Sequence, residues 1–125
     1  MIKYFLNILL LVVVIGSASF IVGMFWYIMC EVYEDFILDV EFVNELALHP
    51  EIHDNYFITY YDLTDHTPDY NAIFMTYWAF TTLSTVGFGD IHPISNEERV
   101  FCSFIFLFGV LIFSYIMNVF MEIVD

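Results

Sequence analysis

Two apolar runs of membrane length constrain this chain more than any other feature of its sequence. Residues 4–30 contain one strongly polar side chain, Asn7, and residues 100–124 are apolar apart from scattered small and polar side chains. At 1.5 Å per residue, a helix over either run is roughly 40 Å long, which is enough to cross a bilayer. We therefore predict an all-α, multi-pass integral membrane protein with transmembrane helices over residues 4–30 and 99–124.

The composition excludes several classes of protein. Hydrophobic residues make up 61% of the 125 residues and charged residues 14%, whereas soluble domains are about half apolar and about a quarter charged. Two basic residues and a formal net charge of −14 exclude a nucleic-acid partner, because few phosphates could be neutralised. Outside the apolar runs too little chain remains for a catalytic core. We expect a single domain over residues 1–125 that is not an enzyme and has no cofactor and no small-molecule substrate.

The two cysteines, Cys30 and Cys102, lie within or beside the apolar runs. Their number and spacing fit neither a zinc site nor a disulfide framework. We predict buried thiols in preference to a disulfide between them, since free cysteine is among the most buried residue types.

Charge predicts the orientation of the chain in the membrane. Lys3 is the only basic residue near the first run, and the positive-inside rule places it in the cytoplasm. Two crossings then put both termini in the cytoplasm and an acidic loop, residues 31–66, outside. Residues 31–70 contain eleven acidic residues and no Lys or Arg. A cleaved signal peptide ending near Ala18 is the alternative, but the apolar run continues past that point, which favours an uncleaved helix.

Part of the external loop, residues 31–66, has the sequence pattern of a helix. Apolar residues recur at helical spacing after the first run, so the first helix is predicted to continue outward to about Leu48, where Pro50 ends it. Residues 54–67 show no such pattern and are predicted to be irregular. His49 and His53 could form a metal pair on a helix, but the proline between them favours an exposed loop.

A shorter helix is predicted over residues 67–84. Thr67, Pro68 and Asp69 have the form of an N-cap, a proline at the first helical position and an acidic first-turn residue. The apolar stretch that follows is too short to cross a membrane. A short helix followed by glycines and then by a full apolar run predicts a re-entrant hairpin, which a membrane tolerates only where protein or water surrounds it.

The glycines after this helix predict an unusual backbone. Gly87 and Gly89 are one residue apart in the stretch Thr-Val-Gly-Phe-Gly-Asp, residues 85–90. Glycine adopts positive φ without steric cost, so the chain can alternate between ordinary and positive φ. Successive carbonyl groups then point the same way. Such a row of oxygens can replace the water shell of a cation where several chains meet around an axis.

Residues 81–90, Thr-Thr-Leu-Ser-Thr-Val-Gly-Phe-Gly-Asp, resemble the pore-loop signature of potassium channels. In size and in this string the chain is most similar to the miniature potassium channels of large algal viruses. The resemblance implies a homotetramer, with three further copies around the pore, that passes potassium passively across a lipid bilayer. It also implies a pore helix over 67–84 and a selectivity filter over 85–90. The residues that would bind the ions are Thr85, Val86, Gly87, Phe88 and Gly89.

The same resemblance implies further roles. Filter support is expected from Trp78, Thr81 and Asp90, a hinge at Gly109, and an inner pore lining from Phe113, Met117 and Met121. Two positions depart from the common pattern: Phe88 stands where tyrosine is usual, and Thr81 stands where some members have glutamate. A carboxyl partner for Asp90 is therefore not assumed.

Several alternatives stay open at this point. The chain could be a weakly selective cation channel, or a two-span accessory subunit whose loop never assembles into a pore. His92 lies just beyond Asp90, and an imidazole can gain a proton between pH 5 and 8, so it could reduce cation entry in acid or be an ordinary loop histidine. Arg99 is predicted to form an ion pair with Glu97, Glu98 or Asp90.

Overall fold

The computed structural model describes residues 1–42 and 56–125, and side chains within 1–36 and 56–125. These ranges form helices joined by turns and loops, and they contain no strand. The predicted all-α fold is confirmed. The helices are α1 (Ile2–Phe42), α2 (Phe57–Tyr60), α3 (Pro68–Leu83) and α4 (Asn96–Val124).

Helices α1 and α4 have the length and composition to cross a membrane. In their most apolar windows only 11% and 17% of the residues are buried within the chain, so their apolar faces point outward, unlike those of a core helix in a soluble protein. Helix α1 has 41 residues and is therefore about 60 Å long, about twice the hydrocarbon thickness of a bilayer. Its predicted end near Leu48 and Pro50 lies outside the described residues, as do His49 and His53.

Helix α3 begins where the sequence provides a cap. The Thr67 hydroxyl accepts a hydrogen bond from the Tyr70 amide at 3.4 Å, and Pro68 is the first helical residue. The helix ends at Leu83, with Ser84 as its C-cap. These bounds lie one residue inside each end of the predicted range.

Helix α4 begins at Asn96, three residues before the predicted position, because Ser95 and Glu98 form a capping box. The Ser95 hydroxyl accepts from the Glu98 amide at 3.2 Å, and the Glu98 carboxylate accepts from the Ser95 amide at 3.0 Å. Glu98 is buried and also accepts from the Phe57 amide at 2.9 Å. Within the described ranges Arg99 donates to the Asn96 side chain and does not form the predicted ion pair.

The hydrophobic core lies where the outer part of α1 meets α2, α3 and the start of α4. Trp26 stacks on Trp78 with ring centroids 5.3 Å apart and meets Phe57 edge-on at 5.7 Å. The prediction that residues 54–67 are irregular is partly wrong, because apolar side chains of α2 and the turn after it fill the space beside α1. The core residues are Trp26, Cys30, Phe57, Ile58, Leu63, Met75, Trp78, Ala79, Cys102 and Ile105.

Both cysteines are buried and free, which confirms the prediction of buried thiols. Each contributes to the same core, Cys30 from α1 and Cys102 from α4. They therefore act as small apolar packing groups between the two long helices.

A glycine sets the distance between α1 and α3. A Cβ atom on Gly23 would lie 2.5 Å from the carbonyl oxygen of Met75, so the two helix backbones are in direct contact there. Gly23 is buried and Met75 is fully buried. This contact places α3, and the segment that follows it, at a fixed depth along α1.

Candidate functional site

The segment that follows α3, residues 85–90, has an alternating backbone. Thr85, Gly87 and Gly89 have φ values of 63°, 52° and 77°, whereas Val86 and Phe88 do not have positive φ. Glycine adopts such values freely, but a β-branched residue such as Thr85 does so only where surrounding contacts hold it. The structure thus has the alternation that the two glycines predict.

Hydrogen bonds to the last turn of α3 hold the first half of this segment. The Thr85 amide donates to the Thr82 carbonyl at 3.2 Å, and the Gly87 amide donates to the Thr81 carbonyl at 3.0 Å. The buried Thr81 side chain donates in turn to the Trp78 carbonyl at 2.9 Å. Thr81 therefore contacts the segment through its main chain, while its hydroxyl is used inside the helix.

Trp78 lies behind the segment. It is 3% exposed, and its stacking on Trp26 fixes α3 against α1. Together with Thr81 it lines a cavity of about 370 Å³ between α3, the segment and α4, on whose far side Gly109 lies. Trp78 thus lines the same cavity as Thr85, Gly87 and Gly89, and among the described residues it makes no hydrogen bond to them.

The Asp90 carboxylate accepts a hydrogen bond from Tyr77, which precedes Trp78 on α3. The Tyr77 hydroxyl donates to Oδ2 of Asp90 at 2.9 Å. This hydrogen bond, with the negative charge of the carboxylate, raises the pKa of Tyr77 above its ordinary value of 10.0, so the phenol remains a donor at neutral pH. Tyr77 is a residue that the sequence reasoning missed. Its position next to Trp78 on the predicted helix was the available signal.

A second tyrosine contacts the chain just after the segment. The His92 amide donates to the Tyr61 hydroxyl at 3.0 Å, and that hydroxyl lies 3.4 Å from the Asp90 carbonyl oxygen. Tyr61 falls in the range that the sequence predicted to be irregular, and no motif indicated it. The His92 side chain is exposed.

The end of α3 faces the start of the segment. The helix ends at Leu83, and the Ser84 hydroxyl donates to the Phe80 carbonyl at 2.7 Å. The last carbonyl groups of a helix carry a partial negative charge. This end of α3 therefore favours a cation beside Thr85.

The predicted inner residues lie on α4 below this point. Gly109 is buried within the continuous helix Asn96–Val124, and a Cβ atom there would lie 3.1 Å from Leu83 Cδ2. Phe113 and Met117 line an apolar cavity of about 430 Å³ beneath the end of α3, between α1 and α4. Met121 is exposed and does not line this cavity.

Side chains do not offer a metal site of the usual kind in the described part of the chain. No group of three or more His, Cys, Asp and Glu residues could hold an ion there. The oxygen atoms available in residues 85–89 are main-chain carbonyls and the Thr85 hydroxyl. Neutral carbonyl and hydroxyl oxygens are hard ligands that suit hard cations.

The family model for ion channels matches residues 53–125 of this chain, which include α3, the glycine segment (residues 85–90) and α4. The chain belongs to the ion channel family. The two apolar helices of this ion channel, α1 and α4, make it an integral membrane protein. No solved structure matches it.

Curated relatives of this ion channel include plant proteins. "Potassium channel AKT1" of Arabidopsis thaliana is 43% identical over 42 residues, 34% of this chain and 5% of the relative. "Potassium channel KAT3" is 40% identical over 48 residues, 38% of this chain and 7% of the relative. "Probable potassium channel AKT5" is 32% identical over 77 residues, 46% of this chain and 9% of the relative. The chain thus spans less than a tenth of each relative's length, and the resemblance to the miniature viral channels stays a prediction.

Proposed function

We propose that this chain is a subunit of a potassium-selective channel, which lets potassium cross a membrane passively down its gradient. The observation that carries the proposal is the positive φ at every second residue of the glycine segment, Thr85, Gly87 and Gly89. Alternating φ rotates successive peptide planes so that their carbonyl oxygens point to one side. The names of the plant relatives support potassium as the ion.

In this proposal the carbonyl oxygens do the work of water. A potassium ion that enters the filter loses its hydration shell, and rings of carbonyl oxygens with the Thr85 hydroxyl replace it. Each contact with water that the ion loses on entry is thereby replaced by a contact with a protein oxygen. The free energy of the ion therefore changes little on entry, so the ion is neither excluded from the filter nor trapped in it. The coordinating residues are Thr85, Val86, Gly87, Phe88 and Gly89.

The pore requires three further copies of the chain. One chain has one such segment, and a ring of oxygens needs several segments around an axis. Val86 and Phe88 are 54% and 70% exposed in the single chain, and apolar side chains so exposed favour burial against a neighbouring molecule. A closed ring of identical subunits satisfies both requirements.

The remaining site residues have roles along the ion path. The end of α3 favours a cation below the filter through its partial negative charge. We propose Gly109 as a hinge in α4, where the buried glycine packs against Leu83, and an inner lining formed by Phe113, Met117 and Met121. Lys3 at the start of α1 supports an orientation with both termini in the cytoplasm.

Reversal potentials test the proposal. The full chain, purified and reconstituted in a plain bilayer, is placed between solutions that differ in potassium and sodium. We expect the current to reverse near the potassium equilibrium potential. Reversal near zero would indicate a weakly selective cation channel instead. A protein that stays monomeric and carries no current would support a non-conducting accessory subunit, and potassium selectivity would then be refuted.

A further inference from the structure

The outer end of the glycine segment is held by a residue of the external region. Tyr61 caps the C-terminus of α2. Its ring packs on Phe57 at 4.9 Å and on Phe74 of α3 at 5.3 Å between centroids. The ring is thus held from two helices before its hydroxyl makes any contact.

That hydroxyl lies between two main-chain groups. It accepts from the His92 amide at 3.0 Å and lies 3.4 Å from the Asp90 carbonyl oxygen, to which it donates. A neutral phenol has one donor and can also accept, so one hydroxyl serves both groups. Burial raises the pKa of Tyr61 above its ordinary value of 10.0, and the group therefore stays neutral at physiological pH.

We propose that Tyr61 is a positioning residue for the filter, acting on its outer end through the main chain of residues 90–92. This inference rests on the proposed function. The inner part of residues 85–90 is tied to α3 through the carbonyls of Thr81 and Thr82. At the outer end Tyr77 holds the Asp90 side chain, and Tyr61 holds the main chain on either side of residue 91.

The anchor is itself fixed to the membrane helices. The Phe57 amide at the start of α2 donates to the buried Glu98 carboxylate at 2.9 Å, and that carboxylate caps α4. A continuous series of contacts therefore runs from α4 through α2 to the filter exit. Through these contacts α2 and Tyr61, which belong to the external region, support the filter directly, in addition to any effect of the acidic charge of that region.

The requirement for such an anchor is greatest when potassium is scarce. Carbonyl oxygens that converge on an axis repel one another, and bound cations offset that repulsion. When the ions leave, only the hydrogen bonds at the two ends of residues 85–90 resist distortion of this segment. Thr85 meanwhile has a positive φ that its β-branched side chain disfavours. Losing one anchor should therefore have little effect at high external potassium and a large effect at low external potassium.

Tyr61→Phe removes the hydroxyl and keeps the ring. The matched control is Tyr60→Phe: the Tyr60 ring contacts Tyr61 and His92, but among residues 1–36 and 56–125 its hydroxyl makes no hydrogen bond. Currents of wild type and both variants are recorded after a step from high to low external potassium. The variant loses both hydrogen bonds of the hydroxyl, of which the 3.0 Å bond from the His92 amide is the shorter. Since one net hydrogen bond corresponds to roughly a fivefold change in an equilibrium or rate, we expect the Tyr61→Phe current to decay at least fivefold faster. Tyr60→Phe should decay at the wild-type rate.

Backbone amide exchange of the purified channels provides a second readout that does not depend on current. Tyr61→Phe should speed exchange at the His92 amide several-fold and leave the amides within α3 unchanged. Equal decay and equal exchange in wild type and Tyr61→Phe would overturn the inference while a selective wild-type current upheld the proposed function. A wild type without potassium current would refute the proposed function, and the exchange at His92 would still decide whether Tyr61 anchors residues 90–92.

Discussion

The contact between α1 and α3 leads to a sharp prediction about Gly23. Replacing it with alanine places a Cβ atom 2.5 Å from the Met75 carbonyl oxygen and 2.8 Å from the Met75 carbonyl carbon, whereas ordinary contact begins at 3.4 Å. The two helices must then separate locally by about 0.9 Å. Both atoms belong to a helix backbone, so no side-chain rotation can relieve the overlap.

The magnitude follows from two opposing effects. Overpacking a buried contact costs about 1–3 kcal/mol, and alanine gains up to about 1 kcal/mol over glycine in helix propensity. Gly16→Ala is the matched control, because it lies on the same helix and a Cβ atom there meets no atom within 4 Å. Both variants share the propensity gain, so their difference isolates the overpacking cost. We expect Gly23→Ala to be about 1–3 kcal/mol less stable per chain than Gly16→Ala.

Thermal unfolding of wild type and both variants in one detergent measures this difference, and reconstituted currents measure its effect on function. Because α3 carries the glycine segment, Gly23→Ala should also reduce potassium current, whereas Gly16→Ala should keep the wild-type current. If Gly23→Ala proved as stable and as conductive as Gly16→Ala, the direct backbone contact between α1 and α3 would be refuted.

Three further predictions concern the filter and the outer core. Gly87→Ala should abolish selective current although a Cβ atom there meets nothing within 4 Å, because φ of 52° is strained for alanine; wild-type selectivity in reversal-potential measurements would contradict this. Tyr77→Phe should weaken potassium selectivity by freeing the Asp90 carboxylate. The raised pKa of Tyr77 keeps the wild-type hydroxyl protonated below its ordinary value of 10.0, and the hydrogen bond is lost only as pH rises through the raised pKa. The difference in selectivity between variant and wild type should therefore be the same at pH 7 and pH 9. A difference that disappears by pH 9 would count against it. Glu98→Ala should lower the free energy of unfolding by about 2–3 kcal/mol, because it removes the carboxylate half of the capping box and leaves the Phe57 amide unpaired. An unchanged melting temperature would show that the carboxylate is dispensable.

Features that depend on a few neighbouring residues were readable in advance. The start of α3 at Pro68 follows from a threonine cap and a proline, and the alternating backbone follows from Gly87 and Gly89, because these preferences act within one or two peptide units. The two long apolar helices follow from composition over about 25 residues. The start of α4 at Asn96 was predicted three residues too late, although its capping box of Ser95 and Glu98 is equally local.

The partners of the filter could not be read in the same way. Tyr77 and Tyr61 meet the region of Asp90 across 13 and 29 residues of chain, and hydrogen bonds form only when packing brings their hydroxyls within a few tenths of an ångström of the right place. That packing depends on the stacked indoles of Trp26 and Trp78 and on the absence of a side chain at Gly23. Short-range preferences therefore determined the helices and the alternating backbone of residues 85–90. The long-range packing of α1, α2 and α3 determined that Tyr61 and Tyr77 hold the outer end of that segment.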